Sequence, residues 1–494
     1  MIITIKDHFS LEAEEGESLL TALSQAGIIL PSPCGGRGYC KKCYVQILEG
    51  SVSGVEPDRD GRVLACKAII KENLLIRAPD NNVLGESELS LPKISRKEIK
   101  INKAGAALDI GTTTVALSLL NLDDKNEGSP VLDVISELNA QLPHGADIMS
   151  RIDAAMKGRT IELHRILIDQ VHRMLERFMD DWKFPIIDRL IVSGNTLMLH
   201  FFLNEDPSGM GKLPFTPVFL EERICKGSDL GLPVREIIIL PSISSFVGAD
   251  IVSGIASMDL LSRTEEHPSM LIDIGTNGEI AIFNNGKVFC SSTAAGPAFE
   301  GAEIHMGMGG VLGAINKIKY EGEKIVYSTI GSVKPRGICG SGLIDAVALM
   351  LEMGVVDESG YMDVDGGEFF LTPNIKIINR DIRQFQLAKS AILSGIKICC
   401  KRAGLGLDEI SQVYIAGGFG FFIDKINAVK TSLLPAEFLE KINICGNLSL
   451  KGAELALVEE DFLERCRKIK NACVNIDLSS DPDFMIEFSE NMLF

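Results

Sequence analysis

One short motif occurs twice in this chain of 494 residues, and apolar runs flank both copies. Residues 108–114 read Leu-Asp-Ile-Gly-Thr-Thr-Thr, and residues 272–278 read Ile-Asp-Ile-Gly-Thr-Asn-Gly. Each copy predicts a strand, a tight turn and a second strand, because an apolar run stops at a glycine and then resumes. Two copies of one hairpin indicate a duplicated fold with two lobes that present the same turn.

Both predicted turns carry groups that suit phosphate chemistry. Asp109 and Asp273 end the first strand of each hairpin, where a carboxylate can hold Mg²⁺ through water or orient an attacking water. The amides and hydroxyls of the turns can donate hydrogen bonds to phosphate oxygens. We therefore predict that Asp109 and Asp273 are catalytic residues. The predicted phosphate-binding residues are Gly111, Thr112, Thr113, Gly275, Thr276 and Asn277.

A third glycine-rich turn follows an apolar strand that begins at Val413. Gly417, Gly418 and Gly420 would let the backbone approach a flat nucleoside closely, because glycine has no side chain. The sequence contains no G-x4-G-K-[ST] phosphate loop, so a nucleotide would need this different arrangement. The two hairpins and the glycine turn together predict a nucleotide site.

Four of the twelve cysteines fall within the first 66 residues. Cys34, Cys40, Cys43 and Cys66 have the spacing C-x5-C-x2-C-x22-C. Three thiolates on one glycine-rich loop and a fourth from a nearby strand suit the ligation of a [2Fe–2S] cluster. The alternative is a zinc site, which usually pairs two C-x2-4-C hooks, but residues 34–66 include one such hook and no histidine.

Composition and charge argue against several other classes of protein. Hydrophobic residues make up 46% of the chain, which is enough to form packed cores and argues against disorder. The 49 lysines and arginines against 67 acidic residues give a net charge of −18, which argues against nucleic acid as a partner. No run of about 18 apolar residues predicts a membrane span. The N-terminus lacks the cationic segment of a signal peptide, so we expect a cytoplasmic protein.

Changes of composition divide the chain into segments. The first 80 residues have a β-rich pattern, residues 81–103 are polar, and from Ala104 long apolar strands alternate with helices. The clearest helix pattern runs from about Asp147 to Trp182. The predicted segments are a [2Fe–2S] domain (1–80), a linker (81–103), lobe I (104–268), lobe II (269–430) and a C-terminal segment that returns to lobe I (431–494).

Both parts of the chain resemble known folds. With its cysteine spacing, the first part resembles the β-grasp ferredoxins. Two Asp-Gly hairpins and a Gly-Gly turn, in this order, resemble the superfamily of acetate kinase, sugar kinases and actin, where the hairpins clamp phosphates and the third turn holds adenosine. The resemblance implies an α/β multidomain fold. An N-terminal β-grasp [2Fe–2S] ferredoxin domain would precede a two-lobed actin-like (ASKHA, ribonuclease H-like) ATPase domain.

The combination of the two parts resembles the reductive activators of corrinoid-dependent methyltransferases. Further stretches agree with that family over nearly the whole chain, at 139–152, 192–198, 240–250, 295–302, 337–345 and 415–420. The resemblance implies an ATP-hydrolysing iron–sulfur enzyme that transfers one electron to an inactive Co(II) corrinoid protein and restores Co(I). The implied cofactors are a [2Fe–2S] cluster, ATP and Mg²⁺. The implied partners are the corrinoid protein and a low-potential electron donor, and a homodimer is left open.

One departure from the larger members of that family is expected. Because the ATPase part starts near Ala104, little room remains for the extra middle domain that they carry. Three other functions stay open: an activator of a radical-forming dehydratase or reductase, an electron carrier with a nucleotide-sensing module, and a small-molecule kinase with a redox sensor. The first of these typically carries a [4Fe–4S] cluster that bridges two subunits, whereas the four local cysteines here complete a cluster within one chain.

Overall fold

The computed structural model describes residues 1–6, 10–25, 30, 38, 43–77, 100–123, 131–260, 267–322, 324–417 and 423–494. Cys34, Cys40, Gly418, Gly420 and most of the predicted linker lie outside the described residues. Within the described ranges, no helix combines the length and the apolar composition that a membrane span requires.

The described part of the N-terminal unit is a small sheet with one helix and its own apolar core. Its elements are β1 (Ile2–Ile5), β2 (Ser10–Glu12), α1 (Leu19–Gln25), β3 (Tyr44–Glu49), β4 (Val52–Ser53), β5 (Arg62–Leu64), β6 (Ile69–Ile70) and β7 (Leu74–Arg77). The main sheet has the order β2-β1-β7-β3-β5, in which β1 and β7 run parallel and the other pairs are antiparallel. Ile3 and Ile5 alternate toward the core, as expected of a half-buried strand. The predicted ferredoxin-type fold is confirmed.

Lobe I is built on a six-stranded sheet. Its elements are β8 (Ala104–Ile110), β9 (Thr114–Asn121), β10 (Val131–Leu138), α2 (Ile148–Ala154), α3 (Thr160–Trp182), β11 (Ile187–Gly194), α4 (Thr196–Phe202), β12 (Arg223–Lys226), β13 (Val234–Ile239) and α5 (Ala249–Ser257). The sheet order is β10-β9-β8-β11-β13-β12. The central strand β8 is buried along almost its whole length, which explains its continuous apolar run.

Lobe II is built on a second six-stranded sheet. The remaining elements are β14 (Ser269–Ile274), β15 (Gly278–Asn284), β16 (Lys287–Thr293), β17 (Ala314–Glu321), β18 (Lys324–Thr329), β19 (Gly337–Ile338), α6 (Gly340–Glu352), β20 (Glu368–Thr372), β21 (Ile375–Ile378), α7 (Asn379–Ala403), β22 (Gln412–Ala416), α8 (Lys425–Lys430), β23 (Ile442–Gly446), α9 (Leu448–Val458), α10 (Phe462–Ala472), β24 (Cys473–Asn475) and α11 (Phe484–Glu490). The sheet order is β23-β22-β14-β15-β16-β24.

The two large sheets repeat one pattern. In lobe I, β8, β9 and β10 are antiparallel, and β11 and β13 join the other side of β8 in parallel. In lobe II, β14, β15 and β16 are antiparallel, and β22 and β23 join the other side of β14 in parallel. Ile110 pairs with Val115 in the first hairpin, and Ile274 pairs with Gly278 in the second. The prediction of a duplicated, two-lobed fold is confirmed.

The long helix predicted for residues 147–182 is wrong as a single element. The structure has α2 and α3, separated by a π-helical turn over Ala155–Arg159. Gly158 in that turn has a φ of 85°, a left-handed conformation that interrupts a helix and that glycine adopts at little cost. The apolar spacing continues through this turn, so the hydrophobic pattern alone does not reveal the break.

The C-terminal segment contacts both lobes, so the assignment of all of residues 431–494 to lobe I needs correction. Helix α9 packs against α5, β8 and β11 of lobe I, and α10 also packs against α5. By contrast, β23 and β24 are the edge strands of the lobe II sheet, and α11 packs against α7. The physical reason is that β24 pairs in parallel with β16, which draws the chain back to lobe II.

Helices α9 and α5 cross where α9 has no room for a side chain. A Cβ atom at Gly452 would lie 2.4 Å from the backbone oxygen of Ser253. We expect Gly452→Ala to lower the free energy of unfolding by about 1–3 kcal/mol, because backbone atoms must move apart to accommodate the methyl group. The measurement is the Tm in a thermal scan. The matched control is Gly309→Ala, where an added Cβ atom has no neighbour within 4 Å and the Tm should stay unchanged. An unchanged Tm in Gly452→Ala would contradict this crossing.

Candidate functional site

The turns of the two hairpins meet between the lobes. The hydroxyl oxygens of Thr113 in lobe I and Thr276 in lobe II lie 3.3 Å apart. Each turn is closed by a backbone hydrogen bond: the Gly111 amide donates to the Thr114 carbonyl, and the Gly275 amide donates to the Asn277 carbonyl, both at 2.9 Å. The structure therefore brings together the two turns for which the sequence predicts phosphate binding.

Asp109 lies at the end of β8, where two side chains from the C-terminal segment hold its carboxylate. Its Oδ2 accepts a hydrogen bond from Asn447 Nδ2 at 2.8 Å, and its Oδ1 accepts one from Ser449 Oγ at 2.7 Å. Burial raises the pKa of Asp109, and these two hydrogen bonds oppose the shift. The first hairpin is thus fixed by residues from the far end of the chain.

Two asparagines play the same part at the start of two helices. Asn447 and Asn195 each cap a helix, α9 and α4 respectively, by accepting a hydrogen bond from an amide of its first turn. The amide nitrogen of each side chain then remains for the first hairpin: Asn447 donates to Asp109, and Asn195 donates to Thr112 Oγ1 at 3.0 Å. The positions of both helices therefore set the position of the predicted phosphate-binding turn.

Asp273, at the end of β14, has the most unusual charge environment of the predicted residues. Burial raises its pKa to about 8, and the negative charges of Asp250, Asp109 and Glu300 contribute to the shift. A Cβ atom at Gly417 would lie 2.7 Å from Asp273 Oδ1, and the φ of Gly417 is 103°, so both space and conformation require glycine there. The predicted glycine turn thus begins directly beside the carboxylate of the second hairpin.

Three further acidic side chains, which the sequence reasoning missed, surround this pair. Burial raises the pKa of Asp250 to about 7, with a further contribution from Asp109. Burial also raises the pKa of Glu279 and of Glu300, and the charges of Asp250 and Asp273 add to the shift of Glu279. All five carboxyl groups are thus buried, and the negative charges of four of them act on Asp250, Asp273 or Glu279.

Arg151 on α2 is fully buried beside the first hairpin. Its Nε donates to the Gly145 carbonyl at 2.9 Å, and its guanidinium also donates to the carbonyl of Thr112. Burial lowers its pKa to about 9, and the charges of Asp147 and Glu300 oppose that shift. Arg151 therefore fixes the turn of the first hairpin and places a positive charge near Glu300.

A cavity of about 590 Å³ adjoins the second hairpin, and residues of both lobes line it. Thr276 and Asn277 line this cavity together with Phe215 and Phe246 from lobe I. The two aromatic rings pack edge to face with centroids 5.2 Å apart. The cleft between the lobes therefore has open space next to the predicted phosphate-binding turn.

The missed residues lie in stretches that stand out in the sequence, but the sequence does not indicate a role for them. Asp250 lies in the stretch 240–250, Glu300 in 295–302 and Arg151 in 139–152, all of which carry the family resemblance. Each side chain reaches the site only through the fold, because none lies within a hairpin motif. Glu279 directly follows the second motif, where an acidic residue in an apolar strand could have been noted.

The charges at Asp273 predict a pH dependence of stability. Its pKa is about 8 in the folded protein and 3.8 as the ordinary value, so folding binds a proton between these values and stability falls as pH rises from about 4 to 8. Asp273→Asn removes this contribution. We expect the Tm of the nucleotide-free wild type to fall between pH 5.5 and 8 by at least about 2 °C more than that of Asp273→Asn. Equal decreases in the two proteins would contradict the environment described for Asp273.

In the N-terminal unit, the structure places two of the four predicted cluster ligands side by side. The thiols of the buried Cys43 and of Cys66 form a hydrogen bond, which together with burial raises the pKa of Cys43. The Ala65 amide donates to the Cys43 carbonyl at 2.8 Å, so the pairing of β3 with β5 fixes this approach. Cys34 and Cys40 lie outside the described residues.

Three family models match consecutive parts of the chain. A model described as the 2Fe-2S iron-sulfur cluster binding domain matches residues 3–71. A model described as the RACo middle region matches residues 104–263, and one described as the C-terminal ASKHA domain of RACo matches residues 267–494. The model of the middle region thus matches the residues that form lobe I, which begins at Ala104.

Curated proteins and a solved structure are similar to the chain over most of its length. The chain is 32% identical to the corrinoid activation enzyme RamQ of Eubacterium limosum, over 79% of this chain and 70% of that protein. It is 28% identical to the [Co(II) methylated amine-specific corrinoid protein] reductase of Methanosarcina barkeri, over 74% of this chain and 72% of that protein. A solved structure, described as a reductive activator for corrinoid, iron-sulfur protein, aligns with a TM-score of 0.73 and 26% identity, covering 100% of this chain and 98% of its own.

Proposed function

We propose that this chain, which belongs to the family of RACo-type corrinoid activation enzymes, is an ATP-dependent reductive activator that reduces the Co(II) of a corrinoid protein to Co(I). The observation that carries the proposal is the meeting of Thr113 and Thr276 between two lobes, in a chain whose first residues match a [2Fe–2S] domain. A nucleotide clamp and an electron carrier in one polypeptide suit a reduction that requires energy. The functions for which the two relatives are named support the same substrate class.

The residues described in the N-terminal unit fit a [2Fe–2S] cluster. Cys43 and Cys66 already face each other, and thiols are the ligands that such clusters require. With Cys34 and Cys40 they would complete a set of four within one chain. When bound, the cluster supplies a single electron, which matches the difference between Co(II) and Co(I). The chain itself supplies the hydrogen-bonded backbone between β3 and β5 that holds the two thiols together.

The cleft fits a nucleotide that brings its own Mg²⁺. Among the described residues, no group of three or more His, Cys, Asp or Glu side chains forms a ready metal site. Mg²⁺ usually keeps several waters and binds proteins through one or two carboxylates together with substrate phosphates. Burial raises the pKa of both Asp109 and Asp273, and neighbouring acids, Asp109 among them, add to the shift of Asp273. The two carboxylates are suited to this role because a cation would offset their mutual repulsion. ATP, Mg²⁺ and hydrolysis are parts of the proposal.

The need for ATP follows from the energetics of the reduction. Plant-type [2Fe–2S] clusters have reduction potentials of about −400 mV. Each 59 mV by which the potential of the Co(II)/Co(I) couple lies below that of the cluster costs a factor of ten in the one-electron equilibrium. The two hairpins belong to different lobes, so phosphate contacts by Thr113 and Thr276 would favour one arrangement of the lobes. A nucleotide that favours one arrangement changes which complex with the corrinoid protein is populated. We propose further that the reaction takes place in the cytoplasm, that a low-potential donor reduces the cluster, and that the chain forms a homodimer.

The experiment that tests the proposal compares ATP turnover with and without the partner. The rate of phosphate release is measured anaerobically with the Co(II) corrinoid protein and with the same protein freed of its corrinoid. We expect the Co(II) form to raise the rate severalfold and the corrinoid-free form to have no effect. Equal rates would favour the alternative in which the chain is an electron carrier with a nucleotide-sensing module.

A further inference from the structure

Glu300 lies between the two hairpins, at the point where we expect a phosphate group to bind under the proposed function. Its Oε2 accepts a hydrogen bond from Thr113 Oγ1 at 2.8 Å and another from Thr276 Oγ1. The two hydroxyls come from opposite lobes, and Glu300 follows the apolar Phe299 in a loop of lobe II. One carboxylate thus joins the two turns.

The contact of Glu300 with the two threonines competes with phosphate binding. A hydroxyl has a single hydrogen, so a threonine that donates to Glu300 has none left for a phosphate oxygen. Two of the three threonine hydroxyls predicted to bind phosphate, those of Thr113 and Thr276, are therefore already used. A second anion at the same point would also meet the charge of Glu300 in a partly buried environment, where charges are poorly screened.

The surroundings of Glu300 match those of a bound anion. The fully buried guanidinium of Arg151, which belongs to lobe I, interacts electrostatically with the carboxylate of Glu300. The two hydroxyl donors and this cation form an anion site that contains residues of both lobes. The loop that carries Glu300 also includes Gly296, which has a φ of 76° and no atom within 4 Å of an added Cβ, so open space lies beside it.

We propose that Glu300 is an internal substitute for the terminal phosphate, which ATP must displace, and that it thereby sets the preference between ATP and ADP. This inference rests on the proposed binding of ATP. ATP extends one phosphate farther than ADP, so ATP has to break the contacts of Glu300 with Thr113 and Thr276 while ADP leaves them intact. Glu300 weakens the binding of ATP, leaves the binding of ADP unchanged, and links the lobes when the terminal phosphate is absent.

The test is a comparison of affinities in the full-length protein. Isothermal calorimetry measures the Kd of Mg²⁺-ADP and of a non-hydrolysable Mg²⁺-ATP analogue for the wild type and for Glu300→Gln, which keeps the shape but removes the charge. We expect the ATP analogue to bind about tenfold more tightly to Glu300→Gln, the order of effect of one charged hydrogen bond. The Kd of ADP should stay within about twofold of the wild-type value.

The matched control is Glu303→Gln. Glu303 lies three residues further along the same loop and pairs with Arg380 at 2.9 Å instead of with the hairpins. Both affinities should remain at the wild-type values in this variant. If Glu300→Gln does not fold, the comparison is made with Glu300→Asp, whose side chain is one methylene group shorter, and a change in the same direction is expected.

The possible results separate this inference from the function on which it rests. A wild type that binds neither nucleotide overturns both. If the wild type binds both nucleotides and the ratio of their affinities is unchanged in Glu300→Gln, the inference alone is overturned. Weaker binding of the ATP analogue to Glu300→Gln also overturns the inference, because Glu300 would then assist the binding of the nucleotide. A loss of ATP turnover without any change in affinity overturns it as well.

Discussion

Replacement of Cys43 by alanine is expected to abolish the visible absorption of the purified protein and to reduce the rate of Co(II) reduction to the background. Cys43 is buried against Cys66, so its loss removes one of four ligands from the interior of the N-terminal unit. ATP turnover should remain within about twofold of the wild-type rate, because the hairpins belong to lobes I and II with cores of their own. The measurements are an anaerobic absorption spectrum, iron analysis and phosphate release.

The control for this prediction is Cys225→Ala. Cys225 lies on β12 in lobe I, outside the N-terminal unit, so its replacement should leave both the spectrum and the reduction intact. A Cys43→Ala protein that keeps two irons per chain and its visible spectrum would contradict the assignment of this ligand. Four irons per chain in the wild type would contradict the type of cluster.

Asp109→Asn and Asp273→Asn are expected to lower Mg²⁺-dependent ATP turnover by at least roughly 100-fold each, the usual effect of removing one group that stabilises charge at a phosphoryl centre. Both carboxylates lie at the ends of the first strands of the hairpins, and asparagine preserves their size. The visible spectrum should be unchanged, since the cysteines are in the N-terminal unit. ATP-driven reduction of the corrinoid protein should fall together with turnover.

A matched control for these variants is Asp408→Asn, because Asp408 is exposed on the surface of lobe II. This change should alter neither turnover nor the spectrum. A double variant of Asp109 and Asp273 that retains wild-type turnover would show that the hairpins do not form the catalytic site.

Local sequence patterns predicted the parts of the fold that depend on local interactions. The two hairpins were found because Asp-Ile-Gly-Thr stands between apolar runs in both copies, and the register of β8 with β9 and of β14 with β15 agrees with that reading. The break between α2 and α3 was missed because it depends on the left-handed φ of Gly158, which a continuous apolar pattern conceals. The return of β24 to lobe II depends on pairing with β16, which no local pattern encodes.

The candidate site was predicted only in part, because much of it is assembled over long distances. Asp109 was identified from its motif, but its partners Asn447 and Ser449 are 338 and 340 residues away in the chain. Glu300 was not assigned a role, since its contact with Thr113 exists only when the lobes meet. Residue types and spacing therefore identified the chemistry of the turns, whereas the surrounding acids and Arg151 required the three-dimensional structure.

The most direct test of the central claim is the absorption change of the corrinoid protein as Co(II) is converted to Co(I) under anaerobic conditions. The activator is reduced first with a low-potential donor and mixed with the Co(II) corrinoid protein, with Mg²⁺ and with or without ATP. If the nucleotide clamp drives the reduction, Co(I) accumulates with ATP and stays near the background without it, and Asp109→Asn behaves as the sample without ATP. Formation of Co(I) at the same rate and to the same extent in all three samples would contradict the account.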